Sequence, residues 1–261
     1  MNILSPDAIV MAAKDLGISK ANYSLIKTLL LGFLGGAFIA MGGTLSVLVS
    51  GGMPALTAEN PGLRMLLSGM TFPVGIILVV IAGAELFTSN NAVLMPGFWN
   101  KDFGLKKLLR NWTLVFIMNL VGAVCFAYLL VYLVGLFAQD PWHSTIIGIA
   151  EYKTSAPFWK VFVKGIGANW LVCLAIWMGL SATTTIGKIW GLWWPVMTFV
   201  ALGYEHCVAN MFYIPLGMME GADVSLSDFL WGNLLPATLG NIVGGGLMVG
   251  TWYTSSFLKK Y

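Results

Sequence analysis

The chain has 261 residues, of which 58% are hydrophobic and 10% charged, with a formal net charge of +3 at pH 7. Soluble domains carry roughly 25% charged residues, so this composition excludes a water-solvated globular fold and leaves lipid as the main solvent. The small positive balance follows from where the lysines sit between apolar runs, and it points to no nucleic-acid partner.

Residues 1–25 contain Asp7, Lys14, Asp15 and Lys20, too polar for a cleavable leader, and read as an amphipathic lead-in helix on the cytoplasmic side. Residues 26–258 read as one membrane domain. No acid or base occurs between Lys27 and Glu59, between Arg110 and Asp140, or between Asp228 and Lys259. Each gap exceeds the about 20 apolar residues that a helical span requires. Between them lie Met65–Ala84 with its continuation past Glu85, Gly165–Gly187, and Ile189–Met219 interrupted by Glu205 and His206. The expectation is an all-α protein with six spans, followed by a short cytoplasmic tail, residues 259–261. Cys125, Cys173 and Cys207 fall within spans and form no CxxC pair, so neither a disulfide framework nor a zinc site is expected. Lys14, Lys20, Lys27, Lys101, Lys106, Lys107, Arg110, Lys188, Lys259 and Lys260 share one side of this arrangement, which places both termini in the cytoplasm of an inner-membrane protein.

Two segments repeat. Gly83–Asn90 reads GAELFTSN and Gly203–Asn210 reads GYEHCVAN; both fit GxExxxxN, both meet another glycine seven residues on (Gly97 and Gly217), and each has a proline nearby (Pro96 and Pro215). NLVG at Asn119–Gly122 is echoed by NIVG at Asn241–Gly244, and Met41–Gly42 by Met178–Gly179. In chain order these predict two halves, about residues 26–139 and 161–258. Three spans per half make the halves enter the membrane from opposite sides, and such inverted repeats meet at discontinuous helices near the midplane. Spans two and five, each with a Glu among Gly, Asn and Pro, are the discontinuous ones. Irregular backbone at that depth is tolerated only where it is buried in protein or lines a watery cavity. The pattern points to a pore.

A charged residue at mid-span costs about 2.5–3.5 kcal/mol on insertion scales. Glu205 and His206 therefore have two readings: an ion or proton path, or a buried pair that holds helices together. Glu85, the mate of Glu205, fits the anchoring reading, and the halves differ at the next position, Leu86 against His206. Thr88 and Ser89 bring hydroxyls to the first break, either to line a path or to cap half-helices. Lys153, in IAEYKTS, is placed in a loop before span four, where most lysines are simply solvated. Asn169 is an amide early in span four suited to interhelical bonding. Phe72, Phe87 and Phe199 are uninformative singly, and His143 is an external loop residue with no evident partner.

AELFTSN, NWLVCLAIWMG (Asn169–Gly179) and GYEHCVANMFYIPLG (Gly203–Gly217) resemble the signature segments of the formate/nitrite transporter family, and the resemblance runs over essentially the whole chain. It implies an aquaporin-like protomer without the aquaporin NPA motifs, embedded in lipid as a homopentamer with one pore per subunit. By motif position, Thr88 matches the threonine of the loop that interrupts span two. His206 matches the central pore histidine, Glu205 the acid before it, Asn169 the pore asparagine of span four, and Lys153 the lysine near the external vestibule. The two hydrophobic slits implied are Phe72, Ile76 and Phe199 on one side and Leu86, Phe87 and Val172 on the other. Cys207 departs from the family, where a small hydroxyl residue is common.

The function expected is passage of formate or a similar small monovalent anion, with nitrite or hydrosulfide as alternatives within the family. Moving a bare carboxylate into low dielectric costs on the order of 20 kcal/mol before relaxation. Protonating it at pH 7 costs roughly 4 kcal/mol for a pKa near 4. The neutral acid is thus the form expected to cross the slits, with Lys153 attracting the anion and Thr88 and His206 hydrogen-bonding it; whether His206 or water supplies the proton is left open. Of two rival classes, an intramembrane hydrolase lacks a HExxH pair or a nucleophile with a placed base, and a membrane scaffold or receptor would not need mirrored broken helices with a central His. With no ATP-binding motif, the energy source expected is the substrate gradient, alone or with the proton gradient; no cofactor or metal is expected.

Overall fold

The computed structural model describes residues 3–258, so Lys259 and Lys260 of the basic set lie outside the described residues. Apart from one isolated antiparallel bridge, Ile3 to Ala182, its described residues carry helices and turns only. Helix α1 (Pro6–Ala21) starts with Pro6 and Asp7 in its first turn, both favourable there, and buries Val10, Ala13, Gly17, Lys20 and Ala21 along one side. Helix α2 (Leu25–Gly51) follows, capped by Ser24, whose hydroxyl accepts the Lys27 N–H at 3.3 Å.

The second crossing is assembled from pieces. After the short α3 (Pro54–Glu59), α4 (Pro61–Thr71) and α5 (Val74–Ala82) form one apolar run that bends at Phe72–Pro73, because Pro73 has no N–H to continue the ladder. Gly83, with φ 88°, ends that run, and α6 (Phe87–Val93) and α7 (Met95–Trp99) complete it. Helix α8 (Leu105–Ala127) crosses back and continues as a π-turn through Tyr132.

The second half opens with α9 (Trp142–Thr154), a helix where the sequence reads as loop. Ile146 and Ala150 at i, i+4 are its buried positions, an apolar stripe too short to register as a periodic pattern. Asp140 caps it by accepting the Ser144 N–H at 3.0 Å, and that bond holds the Asp140 carboxyl below the usual carboxylate range. Lys153 is consequently in the last turn of a helix and not in a loop. His143 likewise has a partner: its Nε2 lies 3.1 Å from the Glu220 carbonyl oxygen. Helix α10 (Phe158–Ser181) crosses, α11 (Thr185–Ala201) and α12 (Cys207–Met219) form the broken fifth crossing, and the last runs from Asp228 to Phe257. That last crossing comprises a π-segment (Asp228–Leu234), α13 (Leu235–Ile242), a second π-segment (Val243–Thr251) and α14 (Trp252–Phe257).

Among the described residues five helical runs are long and apolar enough to span a bilayer, and α12 is a shorter apolar helix paired with α11. The six crossings form two inverted three-helix repeats of aquaporin-like type, with crossings two and five broken. The halves pack by the same device. A Cβ on Gly122 of α8 would collide with the Phe33 carbonyl oxygen of α2, and one on Gly244 with the Ile166 carbonyl oxygen of α10. These glycines let backbones touch where lipid offers no hydrophobic drive to pack them.

Candidate functional site

Both breaks are built alike. Gly83 (φ 88°) and Gly203 (φ 65°) take the left-handed conformation that a Cβ disfavours, and the next N–H closes back five residues, Ala84 to Val79 at 2.8 Å and Tyr204 to Phe199 at 3.1 Å. The extended residues that follow would leave backbone groups bare at membrane depth. One asparagine from the third crossing of each half answers this. Asn119 Nδ2 donates to the carbonyls of Gly32 (2.7 Å) and Glu85 (2.9 Å), and its Oδ1 accepts the Phe87 N–H (2.9 Å). Asn241 Nδ2 donates to Gly165 (2.8 Å) and Glu205 (2.9 Å), and its Oδ1 accepts the Cys207 N–H (2.8 Å). Position 207 is thus held through its backbone.

The two glutamates are satisfied by matching clusters. Glu85 is ion-paired with Lys20 and accepts from Asn90 Nδ2 at 2.8 Å and Asn111 Nδ2 at 3.4 Å; Asn111 also donates to the Lys20 carbonyl. Glu205 pairs with Lys153 at 3.0 Å and accepts from Asn210 Nδ2 at 2.8 Å and Asn233 Nδ2 at 3.3 Å, while Asn233 donates to the Lys153 carbonyl at 2.8 Å. A buried charge is tolerable when paired and hydrogen-bonded; Glu85 is held through both oxygens, and Glu205 takes all three of its side-chain partners on Oε2. The correspondence includes Lys20 at the end of α1 and Lys153 at the end of α9, upstream of residues 26 and 161.

Where the halves differ, they meet. His206 is the N-cap of α12: its Nδ1 accepts the Ala209 N–H at 3.1 Å. That bond needs the Nδ1 lone pair, so the ring proton sits on Nε2, which donates to Thr88 Oγ1 of the other half at 2.9 Å. Leu86, its counterpart, has no such reach. Asn169 ties the same point together, donating to the Thr88 carbonyl (3.1 Å), Asn91 Oδ1 (3.1 Å) and the Asn241 carbonyl (2.7 Å).

On the Lys153 side a cavity of about 640 Å³ runs down to this contact, lined by Lys153, Glu205, Phe72, Phe199 and His206 among others. Phe72 meets Phe199 edge-on at 5.8 Å between centroids, and Phe199 stacks on His206 at 5.6 Å, so the two phenylalanines and the histidine adjoin one another in the cavity wall. On the Lys20 side a smaller cavity of about 140 Å³ is lined by Lys20, Glu85, Leu86 and Ser89. Of the other residues assigned to slits, Ile76 and Val172 are buried but line neither cavity. Phe87 packs edge-on against Trp112 and Phe116 of α8 and lines neither cavity.

Sequence reasoning passed over Lys20, Asn111 and Asn233, and saw Asn119 and Asn241 only as an echo. Their signal was present: each half carries a lysine five residues before its first long helix, and two asparagines eight apart in its third crossing.

A cavity that reaches a phenylalanine pair and a polar contact between two helix breaks of opposite sense, in a chain of apolar spans, fits a membrane channel or transporter. Residues 7–255 match the model of the formate/nitrite transporter family. The chain is 43% identical over 264 residues to "Uncharacterized transporter YrhG" of Bacillus subtilis (strain 168), covering 100% of this chain and 96% of that protein. It is 42% identical over 270 residues to "Probable formate transporter" of Methanothermobacter thermautotrophicus, covering 98% of each. A solved structure described as "Pentameric formate channel with formate bound" superposes with a TM-score of 0.80 at 34% identity, over 90% of this chain and 98% of that one. The chain belongs to the formate/nitrite transporter family.

Proposed function

We propose that the chain conducts formate, as the neutral acid or together with a proton, through a pore in each subunit of a homopentamer, and that it does no covalent chemistry. The observation that carries this reading is the Thr88–His206 hydrogen bond behind the Phe72–Phe199 gate. An ion crossing that gate would shed its water among aromatic side chains, at a cost on the order of 20 kcal/mol before relaxation. Protonation first costs roughly 4 kcal/mol at pH 7, so the acid crosses and the hydroxyl and imidazole beyond the gate take over its hydrogen bonds. Asn169 and Glu205 serve this reading as positioning residues, one tying Thr88 to the second half and the other anchoring the break before His206. Leu86 is the counterpart of the gate on the Lys20 side.

The Lys20 end faces the cytoplasm of the inner membrane in this reading, since Lys101 joins α7 to α8, Lys106, Lys107 and Arg110 lie in the first turns of α8, and Lys188 lies near the start of α11. Support for formate over nitrite and hydrosulfide comes from the relatives, one described as a probable formate transporter and one solved as a formate channel with formate bound. Purified protein in liposomes tests it: labelled formate should enter down its gradient without ATP, faster than lactate and at least as fast as nitrite or hydrosulfide. Liposomes no more permeable to formate than protein-free ones would overturn the reading. So would preferred passage of nitrite or hydrosulfide, which would reassign the substrate.

A further inference from the structure

The cavity on the Lys153 side has three charged groups in its wall: Arg64, Lys153 and Glu205. Lys153 and Glu205 form an ion pair at 3.0 Å and cancel one another at any distance larger than their separation. Arg64 has no ion-pair partner within 4 Å among the described residues. The cavity wall therefore carries a net charge of +1, and it resides on Arg64. Glu59, Asp140, Glu151 and Asp223 belong to this end of the molecule too, but none lines the cavity.

Its position is as specific as its charge. Arg64 lies in the first turn of α4, and Arg64, Ser68 and Phe72 recur at i, i+4 and i+8, so all three lie along one face of the run and all three line the cavity. The stripe descends about 12 Å from the guanidinium-bearing turn to the gate. Midway, Ser68 Oγ shares a 2.6 Å hydrogen bond with Ser46 Oγ, and both serines line the cavity. Guanidinium is a planar fork that matches the two oxygens of a carboxylate, whereas a monoatomic head engages one donor at a time.

We propose that Arg64 is the anion-capture residue of this mouth and favours planar anions with two oxygens, such as formate, over single-headed ones. This rests on the reading of the chain as a formate pathway. Lys153 is in this view a positioning residue, committed to Glu205.

The test compares wild type, Arg64→Gln and Arg64→Lys in liposomes at ionic strengths from about 10 mM to 500 mM, with formate and hydrosulfide as separate substrates. The charge accelerates formate entry about two- to threefold at the low end, and that advantage over Arg64→Gln shrinks toward one as salt screens it. Arg64→Lys should keep the salt response for both substrates while losing part of the preference for formate. A wild-type to Arg64→Gln ratio of one at every ionic strength overturns the proposal. A ratio above one that salt does not change overturns it as well, since it marks a structural effect, which a lowered melting temperature of Arg64→Gln would corroborate. If wild type itself passes no formate, the functional reading falls and takes this inference with it; if wild type conducts but the variants match it, only the inference falls.

Discussion

Asn119 and Asn241 make the same three hydrogen bonds in opposite halves of the molecule: two donated to backbone carbonyls and one accepted from the first N–H of the half-helix beyond a break. Two of the three go to groups at the break, where a continuous helix would have supplied the partners, and the third reaches the carbonyl of Gly32 in α2 or Gly165 in α10. Replacing Asn241 by Ala leaves the Glu205 carbonyl and the Cys207 N–H, which no helix serves, buried and bare, at about 1–3 kcal/mol apiece. The expected outcome for Asn119→Ala and Asn241→Ala alike is a loss of at least about 2 kcal/mol in detergent unfolding. Asn241→Asp, which keeps the acceptor and loses the donor, should fall nearly as far; wild-type stability in that variant would show that the carbonyls find other partners.

The Lys153–Glu205 pair predicts a cycle with a particular sign. Removing one partner of a buried pair costs about 3–5 kcal/mol, while removing both is far milder. Lys153→Gln should therefore unfold well below wild type, and Lys153→Gln combined with Glu205→Gln should recover most of the difference, because Asn210 and Asn233 can still donate to a neutral carboxamide oxygen. Lys20→Gln with Glu85→Gln should repeat the result on the other side. Additive losses in thermal unfolding of the four proteins would mean that the lysines act independently of the acids.

The span count, the inversion and the two breaks were readable because charge-free length and a duplicated GxExxxxN are properties of the string itself. The break at Glu205–His206 was readable because a Glu and a His have no ordinary reason to sit in apolar sequence. What α9 does was not readable: its apolar stripe is two residues, and only the fold shows that Lys153 reaches 52 positions along the chain to Glu205. The role of Lys20 was hidden for the same reason, since a lysine in a polar lead-in helix looks solvated until α1 is folded against α6 and α7. Phe87 shows the converse limit, because its motif position says nothing of its packing against Trp112 and Phe116.

Close backbone contact at Gly122 and Gly244 yields a size prediction. Gly122→Ala and Gly244→Ala each set a methyl against a carbonyl oxygen of the facing helix, so α2 and α8, or α10 and the second π-segment, must part. Both variants should lose most folded protein on size-exclusion chromatography in mild detergent, whereas Gly62→Ala, with open space around it, should elute as wild type does. Equal profiles for all three would show that the helices separate without cost.

His206 does two jobs through two nitrogens, and substitutions can separate them. Its Nδ1 caps α12 through the Ala209 N–H, and its Nε2 reaches Thr88. Asn is among the best N-cap residues, so His206→Asn should keep the α12 cap and lose the bridge, while His206→Ala loses both at a further cost of about 1 kcal/mol. Thr88→Val removes the bridge and leaves the cap alone. Of the two partners in the bridge only the imidazole can take up a proton at one nitrogen and release one from the other, so only the His206 variants remove a proton-exchanging group from this contact. Formate flux should rise as pH falls in every protein, because more of the acid is neutral. If His206 takes part in proton transfer, His206→Asn and His206→Ala should change the shape of that curve and Thr88→Val should change only its height. Measuring flux from pH 5 to 8 together with melting temperature on the same preparations separates the roles. A His206→Asn protein of wild-type stability with an unchanged curve would leave the histidine a cap and nothing more.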